Sequence, residues 1–339
     1  MLLESIYLYN FRNHLDQKFT FNSLNNLIIA SNGCGKSNLI EAINFFSIAR
    51  SFKTNVNREV VSFGNKEASL IGEIKNQRKS KLKIIFKEDG SKKIIVDNNV
   101  LKKSSDLLKE FTTILISPND ISIIEGSPSI RRKYLDTILF KIDDGYMELM
   151  KRYKKVVDIK RKLYKEKIIN ETLLSIYQEK LEKDNKQIVI KREKLLKELT
   201  KEANAYLKKY YPKVGEININ YNNTFLNLDL EREIRYHECL YGSHRDDLEI
   251  SLNKEICKKF SSTGEKRLVS LLLKISEKEI FNKTSNIKPV ILIDDAFLGL
   301  DDERQRIIYD LIDNDHQKIM TATDDKHIDL IKQPNVIRI

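Results

Sequence analysis

The sequence is poor in cysteine and has no long apolar run. Its three cysteines, Cys34, Cys239 and Cys257, form no CxxC pair. This predicts neither a disulfide framework nor a zinc site, and it is typical of a reducing cytoplasm. No apolar stretch approaches the roughly 18 residues that a membrane helix needs. The first residues, MLLESIYLYNF, include the acidic Glu4 and no basic leader, so we expect neither a membrane span nor a signal peptide.

Proline is also scarce, and none of the five prolines lies between Pro128 and Pro212. Within this stretch apolar residues recur at helical spacing, in two stripes: Tyr146, Leu149, Tyr153, Val156 and Leu163, then Leu174, Tyr177, Leu181, Ile188, Leu195, Leu199, Tyr206 and Tyr210. Two long helices that turn near residues 169–170 satisfy both stripes. The stretch therefore predicts an antiparallel helical arm.

The excess of basic over acidic residues lies almost entirely within this arm. Residues 151–210 hold 19 Lys and Arg but 9 Asp and Glu, whereas the rest of the chain holds 41 and 40. One interpretation is a solvated helical surface. The other is a face that binds a polyanion, because clustered Lys and Arg release counterions from a phosphate backbone. The charge pattern leaves both open.

The segment ASNGCGKSN, residues 30–38, nearly matches the phosphate-binding pattern G-x-x-x-x-G-K-[ST], although its first position is Ala30. It follows the apolar run NNLII and precedes a helical pattern. This strand–loop–helix context predicts that the loop holds the phosphates of a nucleotide. The loop residues are Ala30, Ser31, Asn32, Gly33, Cys34, Gly35, Lys36 and Ser37. We expect Lys36 to contact phosphate and Ser37 to bind Mg²⁺. A redox role for Cys34 is disfavoured, because many residue types are tolerated at its position.

Two aspartates follow the buried run VILI near the end of the chain. We expect Asp294 to hold Mg²⁺, directly or through water, and Asp295 to orient and polarise the attacking water. The alternative is a helix N-cap pair, since Asp is common at that position.

The segment SSTGEKR, residues 261–267, has a Ser-x-Gly tripeptide at the start of an apolar helix. Ser262 and Gly264 would offer a hydroxyl and free amides to phosphate. The alternative is an ordinary capping box, because Ser262 and Glu265 fit S-x-x-E.

Strand patterns surround the arm on both sides. Three β-rich runs within residues 68–97 predict an antiparallel meander, and strands alternate with helices before and after the arm. We therefore expect one split α/β domain. Its parts are an N-terminal portion (1–129) with the phosphate loop and meander, the helical arm (130–212), and a C-terminal portion (213–339).

The order of these motifs is that of an ABC-type ATPase. The segments NFRNH, ARSFK, LISPNDISIIEGSPSIRRKYLD, GSHRDDLEI, STGEKRLVSLLLKISE and ILIDDAFLGLDDERQ together resemble the RecF family of SMC-like ABC ATPases, from residue 1 to about 330. The resemblance implies an ABC-type ATPase head, with a mixed α/β lobe, an antiparallel β lobe and an inserted helical arm.

The resemblance also implies a function. It implies ATP and Mg²⁺ as cofactors, an ATP-sandwiched homodimer, and double-stranded DNA bound near single-strand gaps. It implies a weak DNA-dependent ATPase of recombinational repair and replication-fork maintenance, working in the cytoplasm with RecR as a partner. The surplus charge of the arm predicts in addition that DNA binding weakens steeply with salt, and that neutralising Lys160, Arg161 and Lys162 reduces affinity. Unchanged binding would move the DNA face elsewhere, with Arg50 and Lys53 as candidates.

Residue roles carry over from the resemblance position by position. Arg12 and Asn13 would approach the nucleotide, and residues 262–265 would complete the γ-phosphate site of the opposite subunit. Asp301 would lie in the loop that crosses the dimer interface. Residues 321–324 occupy the switch position, and SPND (117–120) is the candidate for the Q-loop.

Three departures from the family pattern bear on turnover: Ala30 replaces the usual Gly, and Thr263 and Glu265 replace the usual Gln residues. They leave open the alternative that the protein is a scaffold, which binds DNA and partners with little ATP hydrolysis. An SMC-type chromosome organiser would need much longer arms, and a transporter ATPase would normally show LSGGQ.

Overall fold

The computed structural model describes residues 1–103, 106–166, 171–285, 287–295, 315–325, 328 and 331–339. The strands in these ranges are β1 (Leu2–Phe11), β2 (His14–Thr20), β3 (Asn25–Ile29), β4 (Glu67–Lys75), β5 (Lys79–Lys87), β6 (Lys92–Val96), β7 (Asn99–Val100), β8 (Thr113–Ile116), β9 (Ile217–Asn222), β10 (Asp247–Leu252), β11 (Glu255–Ile256), β12 (Val290–Ile293), β13 (Lys318–Ala322) and β14 (Asn335–Arg338). The helices are α1 (Lys36–Ile48), α2 (Leu107–Glu110), α3 (Ser122–Glu125), α4 (Pro128–Ile142), α5 (Tyr146–Lys165), α6 (Glu171–Tyr210), α7 (Leu230–Tyr236), α8 (Cys257–Phe260) and α9 (Thr263–Ser285).

The chain forms two compact units. The first comprises residues 1–119 and 277–339, and the second comprises residues 120–276. The expected boundaries at 130 and 212 both fall within the second unit, which holds the arm together with β9 to β11 and most of α9.

A parallel sheet in the first unit carries the nucleotide motifs. Its strand order is β14-β3-β13-β12-β8, and every pairing is parallel. β3, β12 and β13 are buried along their whole length, as is typical of strands in a parallel sheet. Because parallel strands end at the same edge, the segments after β3, β12 and β13 are neighbours there.

The second sheet of this unit is antiparallel, with the order β2-β1-β4-β5-β6-β7. It contains the meander expected from residues 68–97, and Gly90 (φ +82°) lies in the turn between β5 and β6. The α/β architecture with an antiparallel lobe is therefore confirmed.

Helix α1 packs against strands of both sheets. Leu39, Ile43 and Phe46 are fully buried, as their helical spacing predicted. Phe46 packs on β4 at Gly72, where a Cβ would lie 2.6 Å from its ring. The glycine thus admits the aromatic ring, and α1, whose first turn follows the phosphate loop, is fixed by the core of the unit.

The second unit contains the helical arm. α5 and α6 pack together and bury most of the two predicted stripes, with Val157 buried in place of Val156. The turn expected near 169–170 lies outside the described residues. No helix in the described part of the chain has the length and apolarity to cross a membrane.

Arg192 of α6 is the centre of a buried polar network in this unit. It is 1% exposed, donates to Asp136 Oδ1 at 2.9 Å and Oδ2 at 3.1 Å, and donates to the Ser243 carbonyl at 2.8 Å. Asp136 and Ser243 belong to two separate segments that carry the family resemblance, SPNDISIIEGSPSIRRKYLD and GSHRDDLEI. Both segments are therefore joined to the arm through one guanidinium.

Candidate functional site

The phosphate loop follows β3 and ends at the N-terminus of α1. Gly33 (φ +87°) and Gly35 (φ +103°) both adopt the left-handed conformation that other residues avoid. Ala30 is buried and does not have a positive φ, so its methyl group introduces no backbone strain. The departure at position 30 is therefore compatible with the loop conformation.

Lys36 bonds the first two residues of this loop. Its side chain is 4% exposed, and Nζ donates to the Ala30 carbonyl at 2.6 Å and to the Ser31 carbonyl at 3.2 Å. Ser31, Asn32 and Gly33 are exposed, so the tip of the loop faces solvent while the ammonium lies behind it. Cys34 is half-buried, with its Sγ 2.9 Å from the Ser31 hydroxyl.

Asp294 follows β12 and lies directly beside the loop. Its Oδ1 accepts hydrogen bonds from Ser37 Oγ at 2.9 Å and from Thr321 Oγ1 at 3.1 Å. Burial raises the pKa of the Asp294 carboxyl above its usual value, and the bond from Ser37 opposes that shift. β3, β13 and β12 thus bring Ser37, Thr321 and Asp294 together at one sheet edge.

Asp295 is oriented through its own backbone. Its N–H donates to Thr321 Oγ1 at 2.9 Å, and its φ of +48° is left-handed, which Asp tolerates better than most residues. Oδ1 lies 3.3 Å from the same Thr321 hydroxyl. Thr321 was expected only to lie at the switch position; the structure places its hydroxyl between both aspartates.

These residues fit a magnesium-bound nucleotide. Mg²⁺ prefers oxygen ligands and is commonly held by one or two protein groups together with phosphates and water. Ser37 and Asp294 supply such a pair, and the glycine loop with the α1 N-terminus provides the amides that favour phosphate. No group of three or more His, Cys, Asp or Glu side chains in the described ranges could hold a metal alone.

Arg12 and Asn13, expected to approach the nucleotide, contact α1. Arg12 forms a two-pronged ion pair with the fully buried Glu41, through Nε at 3.0 Å and Nη2 at 2.7 Å. Asn13 Oδ1 accepts from Asn38 Nδ2 at 2.8 Å, and the Asn13 side chain lies against Gly35. Their contact with nucleotide stays a prediction.

The Ser-x-Gly segment forms the capping box that was the alternative interpretation. Ser262 donates to Glu265 Oε2 through N at 2.7 Å and Oγ at 2.8 Å, and Glu265 N donates back to Ser262 Oγ at 3.3 Å. These hydrogen bonds lower the pKa of the Glu265 carboxyl. A role for Ser262 and Gly264 at a partner's γ-phosphate stays a prediction.

One further expected segment lies beside the site, and another lies outside the described residues. Ser117, Pro118 and Asn119 follow β8 at the same edge of the parallel sheet, where the Q-loop was expected. Asp301, expected at the dimer interface, lies outside the described residues.

The expected DNA role of Lys160 is corrected by the structure. Its side chain is 1% exposed, and Nζ bonds Glu233 Oε2 at 2.8 Å and Gln178 Oε1 at 2.5 Å. Lys160 follows Tyr153 by two helical turns and so belongs to the buried stripe of α5. The helical spacing thus indicated a buried position for Lys160, but the charge of its side chain favoured a position on the surface.

The exposed basic residues of α5 lie elsewhere on the helix. Arg161 and Lys162 remain exposed, unlike their neighbour Lys160. An open groove along α5 is lined by Lys151, Lys154, Lys155, Asp158, Ile159 and Lys162. We call this set the α5 basic surface.

Comparison with known proteins places these features in a family. The model of the RecF/RecN/SMC N terminal domain matches residues 2–338. The DNA replication and repair protein RecF of Caldanaerobacter subterraneus subsp. tengcongensis is 34% identical over 329 residues, covering 91% of this chain and 90% of the relative. Its counterpart in Clostridium novyi is 31% identical over 360 residues, covering 99% of both chains.

Solved structures agree with this assignment. The recombination mediator protein RecF-ATP of the RecFOR pathway is similar with a TM-score of 0.88 and 32% identity, covering 96% of this chain and 92% of that chain. The RecF-ATPrS structure has a TM-score of 0.90 at 32% identity, covering 100% and 96%. An SMC head bound to a domain of ScpA, at 15% identity and a TM-score of 0.60, shares the fold. The chain belongs to the RecF family of SMC-like ABC-type ATPases.

Proposed function

We propose that this chain is a RecF-type DNA replication and repair protein that binds ATP with Mg²⁺ and hydrolyses it slowly in response to DNA. The observation that carries the proposal is the 2.9 Å hydrogen bond between Ser37 and Asp294, which unites the phosphate loop with the aspartate of a neighbouring strand. RecF relatives named as DNA replication and repair proteins, and a solved RecF-ATP structure, support it.

The loop residues hold the phosphates. Backbone amides of residues 31–37 and the N-terminus of α1 would bind the phosphate oxygens, while the Lys36 ammonium exchanges its loop carbonyls for phosphate. Ser37 and Asp294 would hold Mg²⁺, which when bound neutralises phosphate charge during transfer. The groups that would stabilise the phosphate charge therefore come from residues that already lie next to one another.

Asp295 acts as the base for the attacking water. The water oxygen forms a bond to the γ-phosphorus, the bond from that phosphorus to the bridging oxygen of ADP breaks, and the water proton passes to the Asp295 carboxylate. The Asp295 N–H is held by Thr321, which fixes the backbone from which the carboxylate projects.

ATP would be sandwiched between two copies of the chain, with each Ser262 facing the Lys36 of the other copy. The phosphate loop and the Ser-x-Gly helix start belong to different compact units. Sedimentation of Asp295→Asn tests this: ATP should convert it to a dimer, and Lys36→Ala should stay monomeric. An Asp295→Asn chain that stays monomeric with saturating ATP contradicts the sandwich.

DNA would bind to the α5 basic surface, double-stranded and near single-strand gaps, with RecR as a partner. The surface groups four lysines on one helix, and clustered cations gain affinity by counterion release. A cytoplasmic location follows from a DNA substrate and agrees with the cysteine content.

The second candidate is a scaffold that binds ATP and DNA with little turnover. It is favoured by the Glu265 carboxylate, which accepts both the hydroxyl and the amide proton of Ser262. Phosphate release measured with and without DNA distinguishes the two, since a scaffold gives the same rate as a Lys36→Ala control.

A further inference from the structure

We propose that His14 is a positioning residue for nucleotide binding, because it fixes the peptide that aims the Lys36 amide into the phosphate loop. The inference rests on the proposed binding of ATP at residues 30–37. It concerns the first side chain of β2, outside the loop itself.

His14 is held rigidly beside the loop. Its side chain is buried, and its Nε2 lies 3.1 Å from the Gly35 carbonyl oxygen. A carbonyl oxygen can only accept, so Nε2 carries the proton of this hydrogen bond. The other ring nitrogen, Nδ1, contacts the side-chain amide of Gln17, and the ring packs edge-on against Phe19 with centroids 5.9 Å apart.

The Gly35 carbonyl lies where the phosphate loop joins α1. Gly35 has a φ of +103° and is the N-cap of α1, and its carbonyl also accepts from Asn38 N and Leu39 N at 2.9 Å each. The C=O of Gly35 and the N–H of Lys36 belong to one peptide group. In a planar trans peptide the two point in opposite directions. Holding the carbonyl toward His14 therefore turns the Lys36 N–H away from it, into the loop.

The neighbours of His14 reinforce this arrangement. Asn13 is bonded to Asn38 and Arg12 to Glu41, so three consecutive residues, 12 to 14, contact α1 or its N-cap. A Cβ on residue 35 would lie 2.8 Å from His14 Nε2 and 2.6 Å from Asn13 Nδ2. The turn and the loop are thus in direct contact, and glycine is required at 35 for space as well as for φ.

The test compares ATP affinity and apo melting temperature in four proteins: the wild type, His14→Phe, His14→Gln and Leu15→Asn. Phenylalanine keeps the ring against Phe19 but has no donor, whereas glutamine keeps an N–H donor. Leu15 is 61% exposed on the same strand and serves as the control. We expect His14→Phe to weaken ATP binding about tenfold, and His14→Gln to stay within about threefold of the wild type, as the loss and retention of one hydrogen bond imply.

Either of two results overturns the inference: His14→Phe binding ATP as tightly as the wild type, or His14→Gln binding as weakly as His14→Phe. A wild type that binds no ATP would instead refute the proposed function. If His14→Phe does not fold, nitrogen NMR of the histidine rings in the wild type decides. The chain has only five histidines, so the ring signals can be assigned. A proton on His14 Nε2 supports the inference, and a neutral ring protonated only on Nδ1 contradicts it.

Discussion

Ser37 Oγ donates a hydrogen bond of 2.9 Å to Oδ1 of Asp294, a residue 257 positions further along the chain. The bond joins the first turn of α1 to the end of β12, with the Thr321 hydroxyl as a second donor to the same oxygen. The parallel sheet brings these three residues to one edge. An oxygen cluster is thereby assembled beside a loop whose conformation suits phosphate.

Ser37→Ala should therefore remove most of the magnesium dependence of ATP binding. The wild type should bind ATP more tightly with Mg²⁺ than with EDTA, and the variant should show nearly equal affinities, because one of the two protein oxygens is gone. Titration with a fluorescent ATP analogue under both conditions measures the ratio. The exposed Ser23→Ala is the control and should keep the wild-type ratio. A Ser37→Ala chain with an unchanged ratio would place the metal elsewhere.

Glu265→Ala should destabilise the start of α9 in a pH-dependent way. Loss of the capping box should lower the free energy of unfolding by about 1 kcal/mol at pH 7. The folded pKa of Glu265 is depressed, so its contribution is present above the unfolded pKa and is lost as the pH falls through the folded pKa. Urea unfolding at pH 7 and at acidic pH measures it. A difference between wild type and variant that stayed constant down to pH 3 would contradict the ionic cap.

The α5 basic surface leads to a prediction about DNA. Lys154→Ala with Lys155→Ala should weaken double-stranded DNA binding and reduce the slope of log affinity against log salt by about 1.8, or about 0.9 for each phosphate that is no longer neutralised. Fluorescence anisotropy over a salt series measures the slope. The matched control is Lys79→Ala with Lys81→Ala, a pair of exposed lysines on β5. Equal slopes for the two double variants would exclude α5 as the DNA surface.

Lys160→Ala should affect stability far more than salt dependence. Removing one partner of a buried ion pair leaves Glu233 uncompensated and should cost about 3–5 kcal/mol of unfolding free energy. Thermal and urea unfolding test this, with the exposed Lys162→Ala as the control. If Lys160→Ala unfolds like the wild type, the buried pair is not a structural requirement of the arm.

The local motifs were predictable from the sequence because each depends on short-range chemistry. The glycine loop, the buried run before Asp294 and the helical stripes are patterns within short segments of the chain, and the structure contains all three. The parallel order of strands then determines which loops meet. For the same reason the proximity of Ser37 and Asp294 could be expected before the structure was known.

The buried acidic partners of two cations were not predictable. Lys160 pairs with Glu233 and Arg12 with Glu41, and no local pattern marks either acid as the acceptor. Charge alone placed Lys160 on the surface, although its helical register placed it in the core. Whether Ser262 bonds Glu265 or a phosphate likewise depends on side-chain geometry. The S-x-x-E pattern allowed both interpretations, and the structure contains the bond to Glu265.

Phosphate release with and without double-stranded DNA, compared between the wild type and Lys36→Ala, tests the central claim most directly. The account predicts slow release by the wild type that DNA accelerates, and a rate at least about tenfold lower in the variant, since Lys36 supplies positive charge at the phosphates. Equal rates for the two proteins, with DNA present, would contradict ATP hydrolysis at this loop.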